Sequence, residues 1–232
     1  MSGFCGGFFV TGTDTAVGKT VVTCALVRAL RARGLDVGAM KPVETGVGDA
    51  GPLDALALRA AAGDVDALED VCPQRFALPA APTVAAAAEA REVDLRAIEA
   101  AHARLAARHA WLVVDGAGGL LVPAACGASM ADLAARLGHP LIIVARARLG
   151  TLNHTALTLE AARRRGLTVA GLAICHADGA LCAADASSLE ALRADPGAPL
   201  LGEIPPLAQE QQPAEDALDI DALLQHGRRD TA

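Results

Sequence analysis

The chain has 232 residues, 53% of them hydrophobic and 20% charged, a length and balance that exclude a disordered or fibrous protein and suit one α/β domain spanning residues 1–232. A formal net charge of -7 and an aromatic content of 2%, with no tyrosine, exclude the basic groove and stacking platform on which nucleic-acid binders rely. No apolar run approaches the roughly 18 residues of a membrane-spanning helix, and no basic leader precedes the first apolar run, so an unprocessed, soluble, cytoplasmic protein is expected.

The elements follow in chain order. Gly7 to Thr11 is a short apolar run of buried-strand type, followed by a Gly/Thr loop and by Val21 to Arg33, where Val22, Leu26, Val27 and Leu30 fall at helical spacing until Gly34 stops the helix. Further strands are expected at Val37 to Met40, Trp111 to Asp115, Leu141 to Ala145, Val169 to Cys175 and Leu200 to Ile204. Helical stretches are expected at Ala55 to Ala62, at the alanine-rich Val84 to Ala90, at Arg96 to Arg108 and at Thr155 to Arg165. Strands alternating with helices predict a mostly parallel sheet with helices on both faces. The Pro-rich Leu78 to Pro82 is too short for a linker, no internal repeat occurs, and Gly227 to Ala232 reads as a frayed end.

The six cysteines are scattered without C-x-x-C pairs or His/Cys clusters, so reduced thiols are expected, with neither zinc nor disulfides. Of the twenty basic residues only Lys19 and Lys41 are lysines. A chain that uses arginine everywhere else has kept lysine where a compact ammonium on a slim stem is needed.

Lys19 closes the loop Gly12-Thr13-Asp14-Thr15-Ala16-Val17-Gly18-Lys19-Thr20, placed between the first strand and the first helix, where backbone N–H groups can surround a phosphate. Five residues separate Gly12 from Gly18, one more than in the pattern G-x-x-x-x-G-K-[ST]. In this P-loop NTPase-like arrangement Lys19 is expected against the β- and γ-phosphates, with the Thr20 hydroxyl on Mg²⁺. Lys41, in Met40-Lys41-Pro42-Val43-Glu44-Thr45-Gly46, stands at a strand end, on the sheet edge where open α/β folds bind ligands. Asp115 ends an apolar strand in the manner of a metal-holding carboxylate, and the small residues after it, Gly118 among them, let backbone approach a ligand. Asp54, opening a helix, reads equally as a metal ligand or as its N-cap.

Together these residues resemble the dethiobiotin synthase family, which catalyses the penultimate step of biotin synthesis. The likeness rests on G-T-D-T-x-V-G-K-T at Gly12 to Thr20, K-P-V-x-T-G at Lys41 to Gly46, Asp54-Ala55-Leu56-Ala57, D-G-A-G-G-L-L-V-P at Asp115 to Pro123, L-G-T-L-N-H-T at Leu149 to Thr155 and L-L-G-E-I-P at Leu200 to Pro205. It implies a homodimeric, ATP-dependent ligase that carboxylates diaminopelargonic acid with CO₂ and closes a ureido ring. It further implies Thr15, Lys19, Lys41 and Thr45 around the carbamate and γ-phosphate, and Thr20, Asp54 and Asp115 on Mg²⁺. Thr13 to Thr20, with Cys175, Pro205, Pro206 and Leu207, would take the nucleotide. The substrate carboxylate would meet Gly150, Thr151, Leu152 and Asn153 of the partner subunit, although Asn153 also reads as a plain helix cap. His154 carries no assigned role.

Three departures stand out. Asp115 replaces the family's usual glutamate, Ala16 a frequent glutamate or glycine, and Cys175 the asparagine that reads adenine, so loose base selection is expected. A P-loop switch protein usually carries an additional lysine near the start of this loop, and none stands here. A corrinoid amidotransferase normally brings a glutaminase domain for which 232 residues leave no room. An inert nucleotide-binding module has to explain why both lysines survive.

Overall fold

In the computed structural model, which describes residues 6–177, 179–207, 213 and 216–227, six strands form one wholly parallel sheet. The chain runs β1 (Gly6–Gly12), α1 (Lys19–Ala32), β2 (Val37–Met40), β3 (Val43–Thr45), α2 (Leu53–Ala61), α3 (Leu68–Val71), β4 (Gln74–Phe76), α4 (Pro82–Ala88) and α5 (Leu95–Arg108). It continues through β5 (Trp111–Gly119), β6 (Pro123–Ala125), β7 (Ala128–Ser129), α6 (Met130–Leu137), β8 (Leu141–Arg146), α7 (Thr151–Arg164), β9 (Val169–Cys175), α8 (Ala183–Ala194), β10 (Leu200–Ile204) and α9 (Ile220–Gly227). The sheet order is β10-β9-β8-β1-β5-β2. β1 pairs in parallel with β5 (Phe8 opposite Val113) and with β8 (Val10 opposite Ile142).

Each central strand is buried on both faces, which is why it reads as a continuous apolar run. Alternation sorts its side chains between two layers. Phe8, Val10, Trp111, Val113, Ile142 and Val144 face a core shared with α1, α2 and α9, with the Phe8 and Trp111 rings stacked 6.1 Å apart. Phe9, Leu112 and Val114 face α4, α5 and α6, while Ile143, Ala145, Leu172 and Ile174 pack on α7 and α8.

The expected strands appear with boundaries within a few residues, β5 running on to Gly119 and β1 to Gly12. Two small ribbons lie outside the expectation: β3 with β4 in parallel, and β6 with β7 antiparallel. Two or three residues each is too short a run for a period-2 signal. The alanine-rich segment is helical from Pro82, two residues earlier than alanine content alone indicates because proline suits the first turn, and ends before Ala90, held at φ 52. Gly227 closes α9, and residues 228–232 of the expected frayed end lie outside the described residues.

Candidate active site

The sheet presents the C-terminal ends of β1, β2 and β5 side by side, and from these three ends come the phosphate loop, Lys41 and Asp115. The loop leaves β1 with the Thr13 N–H donated to the Val144 carbonyl at 2.9 Å and enters α1 through Gly18, in the left-handed region at φ 90. A Cβ at Gly12 would stand 2.6 Å from the Asp14 carbonyl and 3.2 Å from Lys19 Nζ, so only glycine lets the loop curl over its own lysine. Lys19 is buried and its Nζ donates to the Asp14 carbonyl at 3.3 Å. Burial lowers its pKa from the ordinary lysine value, with the nearby Lys41 ammonium acting in the same direction and Asp115 opposing.

Lys41 follows β2 and is pinned there by its own N–H, donated to the Val71 carbonyl at 2.7 Å. Its ammonium donates to Asp54 Oδ2 and to Asp115 Oδ2, each at 2.8 Å. Burial alone would lower its pKa, but the two carboxylates outweigh that and hold it well above the usual lysine range. Asp115 is completely buried and also accepts from Thr20 Oγ1 at 2.8 Å and Thr23 Oγ1 at 3.2 Å. Its short side chain therefore reaches the phosphate-loop threonine directly. For Asp54, burial pushes the carboxyl pKa up, but the Lys41 charge and hydrogen bond prevail and leave it below the usual carboxylate range.

The N-cap reading of Asp54 is corrected by these contacts. α2 begins at Leu53 behind Pro52, and the carboxylate of Glu44 takes the exposed N–H groups of Asp54 and Ala55 at 3.0 and 2.9 Å. The side chain of Asp54 is thereby left to Lys41. Asn153 is likewise not the cap of its helix, since α7 starts at Thr151 behind Gly150, held at φ 95.

Thr15, Ala16, Gly18, Lys19, Thr20, Lys41, Thr45, Asp54 and Gly118 share one cavity of about 600 Å³. Thr13 and Asp14 sit on the other side of the loop, in a second hollow of about 420 Å³ with Leu121, His154 and Leu157. Val17 is buried in the core, which leaves only its backbone for a phosphate. Gly150 to Asn153 do not line the 600 Å³ cavity of their own chain. Pro205, Pro206 and Leu207 follow β10 at the same edge of the sheet. Cys175 does not line the cavity: its Sγ is packed beneath the loop, where a Cβ on Gly18 would collide with it, and among the described residues of that segment Ala177 reaches the cavity.

Two contributors to the cavity escape motif reading. Pro79 to Pro82 form part of its wall, brought there by Gly46, whose φ of 77 and close approach to Pro79 exclude a side chain. Glu44 is the other, and only its place inside the Lys41 to Gly46 motif hints at it.

Two carboxylates and a hydroxyl gather around the Lys41 ammonium; Thr20 and Asp54 open onto the cavity, whereas Asp115, wholly buried behind them, does not line it. Such donors fit Mg²⁺.

A family model described as an AAA domain (AAA_26) matches residues 6–214. The ATP-dependent dethiobiotin synthetase BioD of Anaeromyxobacter dehalogenans (strain 2CP-C) is 61% identical over 169 residues, covering 72% of this chain and 75% of the relative. That of Aromatoleum aromaticum is 43% identical over 205 residues (87% and 91%), and that of Thermodesulfovibrio yellowstonii 37% identical over 235 (94% and 98%). Among solved structures, the cell division protein FtsY of Thermotoga maritima superposes with a TM-score of 0.53 at 17% identity, covering 97% of this chain and 70% of that one, a likeness of fold.

Proposed function

The chain belongs to the ATP-dependent dethiobiotin synthetase family, and on that premise we propose that it joins CO₂ to the vicinal diamine 7,8-diaminononanoate at the expense of ATP, forming dethiobiotin, ADP and phosphate. One amine adds to CO₂, forming a C–N bond and a carbamate as a proton leaves. The carbamate oxygen then takes the γ-phosphoryl group as the bond to ADP breaks. The second amine attacks the activated carbon, the C–O bond to phosphate breaks, and the ring closes with loss of another proton.

The difficulty is electrostatic, because a carbamate and a triphosphate are both anions. Lys19, Lys41 and the loop N–H groups supply the countercharge in the cavity, where a partly dry setting strengthens it. Thr15 and Thr45 donate hydroxyls from the same wall. Held by Thr20, Asp54 and Asp115, Mg²⁺ would neutralise charge on the transferring phosphoryl group. No protein nucleophile is needed, since the diamine attacks; much of the rate comes from positioning. The observation that carries this reading is the meeting of Lys19, Lys41, Thr20 and Asp54 on one cavity at the head of the phosphate loop.

The protein acts as a single domain in a homodimer in the cytoplasm. Support for the dimer lies on α7 and the loop before it, where Leu149 is 70% exposed and Leu152 and Leu157 are also exposed, an apolar surface suited to a second copy. The Gly150 to Asn153 helix start, which carries backbone N–H groups suited to a carboxylate, stands beside that surface. Among the described residues no helix is long and apolar enough to cross a membrane.

The test is ATP turnover with and without the diamine and bicarbonate, with dethiobiotin read by mass. ADP formation that requires both co-substrates and matches dethiobiotin one for one is the expected result. Turnover indifferent to the diamine would point to a nucleotide switch instead, and no turnover at all to an inert module.

A further inference from the structure

From the geometry we infer that Glu44 is a positioning residue for the metal and phosphate end of the site, holding Asp54 in place through backbone rather than side-chain contacts. The inference rests on the proposed metal role of Asp54. Glu44 lies at the middle of β3, opposite Arg75 of β4, and only 7% of it is exposed. Both of its carboxylate oxygens are engaged, Oε1 with the Asp54 N–H at 3.0 Å and Oε2 with the Ala55 N–H at 2.9 Å. These are the second and third residues of α2, two of the donors that a helix start leaves without an intrahelical partner.

Such donors are ordinarily satisfied by the residue just before the helix, but that residue here is Pro52, which has no side-chain acceptor. A carboxylate ten residues away does the work instead, and its negative charge suits the positive end of the helix. The consequence falls on Asp54. Its backbone is clamped to β3, and its side chain, freed from any capping duty, points at Lys41 with a 2.8 Å contact. The strand that follows Lys41 in sequence thus fixes the carboxylate that faces Lys41 in space, so one short segment sets both the cation and the anion of the site.

Glu44 also lies on the wall of the 600 Å³ cavity, yet with both oxygens bonded to α2 it is placed to hold the site and not to react. A plain helix cap would affect stability alone. A positioning residue changes how tightly the oxygen donors hold a divalent ion.

The experiment measures Mn²⁺ binding by the full-length protein with a non-hydrolysable ATP analogue, reading free Mn²⁺ by electron paramagnetic resonance, beside the Mg²⁺ half-saturation of product formation. The variants are Glu44→Ala, Glu44→Asp, Glu44→Gln and Asp54→Asn. Glu44→Ala is expected to weaken Mn²⁺ binding about tenfold and to raise the Mg²⁺ requirement by a similar factor, with kcat at saturating Mg²⁺ within about threefold of the parent. Glu44→Asp, its carboxylate drawn back by one methylene, should loosen the ion nearly as much as alanine, while Glu44→Gln keeps one carbonyl acceptor at the original reach, turns its NH₂ group to the other N–H and recovers part of the affinity. Should Glu44→Ala fail to fold, the contrast between Asp and Gln decides. Mn²⁺ affinity within about twofold of the parent in every folded Glu44 variant, alongside a large loss in Asp54→Asn, would overturn the inference and leave the metal reading standing. No loss in Asp54→Asn would overturn the metal reading, and the inference with it.

Discussion

Replacing Lys41 by methionine keeps the length and apolar stem of the side chain and deletes its charge, so it isolates the electrostatics of the site. In the parent, the ammonium lies 2.8 Å from both Asp54 and Asp115, and Asp115 is wholly buried. At an effective dielectric of about 20, each such pair is worth about 4 kcal/mol of attraction at a charge separation of about 4 Å. Much of that is spent on desolvating the ions, and what remains on deleting one partner is the cost of a stranded charge, about 3–5 kcal/mol. Lys41→Met should therefore lose about 3–5 kcal/mol in urea unfolding near neutral pH, with the slope unchanged. The loss must also depend on pH. The stranded carboxylates escape their penalty by binding a proton, and two pH units lower that proton costs about 2.7 kcal/mol less. The deficit should shrink to about 1–2 kcal/mol near pH 5 and be largest near pH 8. A Lys41→Met protein within about 1 kcal/mol of the parent at both ends of that range would refute the account, because it would mean the buried carboxylates do not need their cation.

Gly18→Ala places a Cβ 2.3 Å from Cys175 Sγ at a residue held at φ 90. A cost of about 2–4 kcal/mol is expected from overpacking plus backbone strain, and Cys175→Ala in the same chain should recover the packing part; strictly additive stabilities would show that the contact is not the cause. Asp115→Glu adds a methylene where Thr20, Thr23 and Lys41 have closed around the shorter acid, and a loss of about 1–3 kcal/mol is expected, read by denaturant unfolding; equal or higher stability would show the pocket has slack. His109 holds Asp66 and Asp36 through its two ring nitrogens at 2.8 Å each, and the Asp66 bond raises its pKa above the ordinary 6.5 despite burial, with Asp36 adding to the rise. A raised folded pKa means that its contribution is fully present below the unfolded value and fades as pH climbs through the folded one. The stability gap between the parent and His109→Gln should accordingly narrow on going alkaline, and a gap that widens would reverse the assignment. With Cys175 buried under the loop, other nucleoside triphosphates should support turnover within about tenfold of ATP, about 1.4 kcal/mol; a steep ATP preference in kcat/KM would place the base reader elsewhere.

Much of this was legible in the sequence because the signals were local. A buried parallel strand is a contiguous apolar run, so β1, β2, β8, β9 and β10 could be placed to within a residue or two. The phosphate loop announces itself through a lysine and glycines at fixed offsets from a strand and a helix. What stayed hidden depends on residues that meet only in the fold. Asp54 at a helix start looks like a cap, and nothing local says that Glu44, ten residues earlier, has taken that duty. Cys175 stands where a base-reading side chain is expected, yet its direction is set by the close approach of Gly18, which is a tertiary fact. Pro79 to Pro82, read in the sequence only as part of a stretch too short for a linker, become cavity wall through their contact with Gly46, just after a ribbon strand three residues long.

The two lysines in a chain otherwise rich in arginine find a physical reason in their opposite surroundings. Lys41 bridges two carboxylates through one nitrogen, with both contacts at 2.8 Å and almost no solvent access, a fit for a point charge. A planar guanidinium spreads its donors over several ångströms and would need a wider mouth between Asp54 and Asp115. Lys19 is buried too, but among the described residues its ammonium has found only a loop carbonyl, at 3.3 Å, and burial lowers its pKa. A cation whose charge is compensated by no direct carboxylate contact within its own loop is under-satisfied, and an incoming phosphate completes its environment. Lys41 thus holds the two acids together in the folded chain and still faces the cavity, while Lys19 meets an incoming anion with no carboxylate contact of its own. That division explains how one small cavity can be stable in the folded chain and still attract a triphosphate, and it separates the expected behaviour of the two substitutions: Lys41→Met loses folding stability and countercharge together, whereas Lys19→Met spares folding and acts mainly on nucleotide binding.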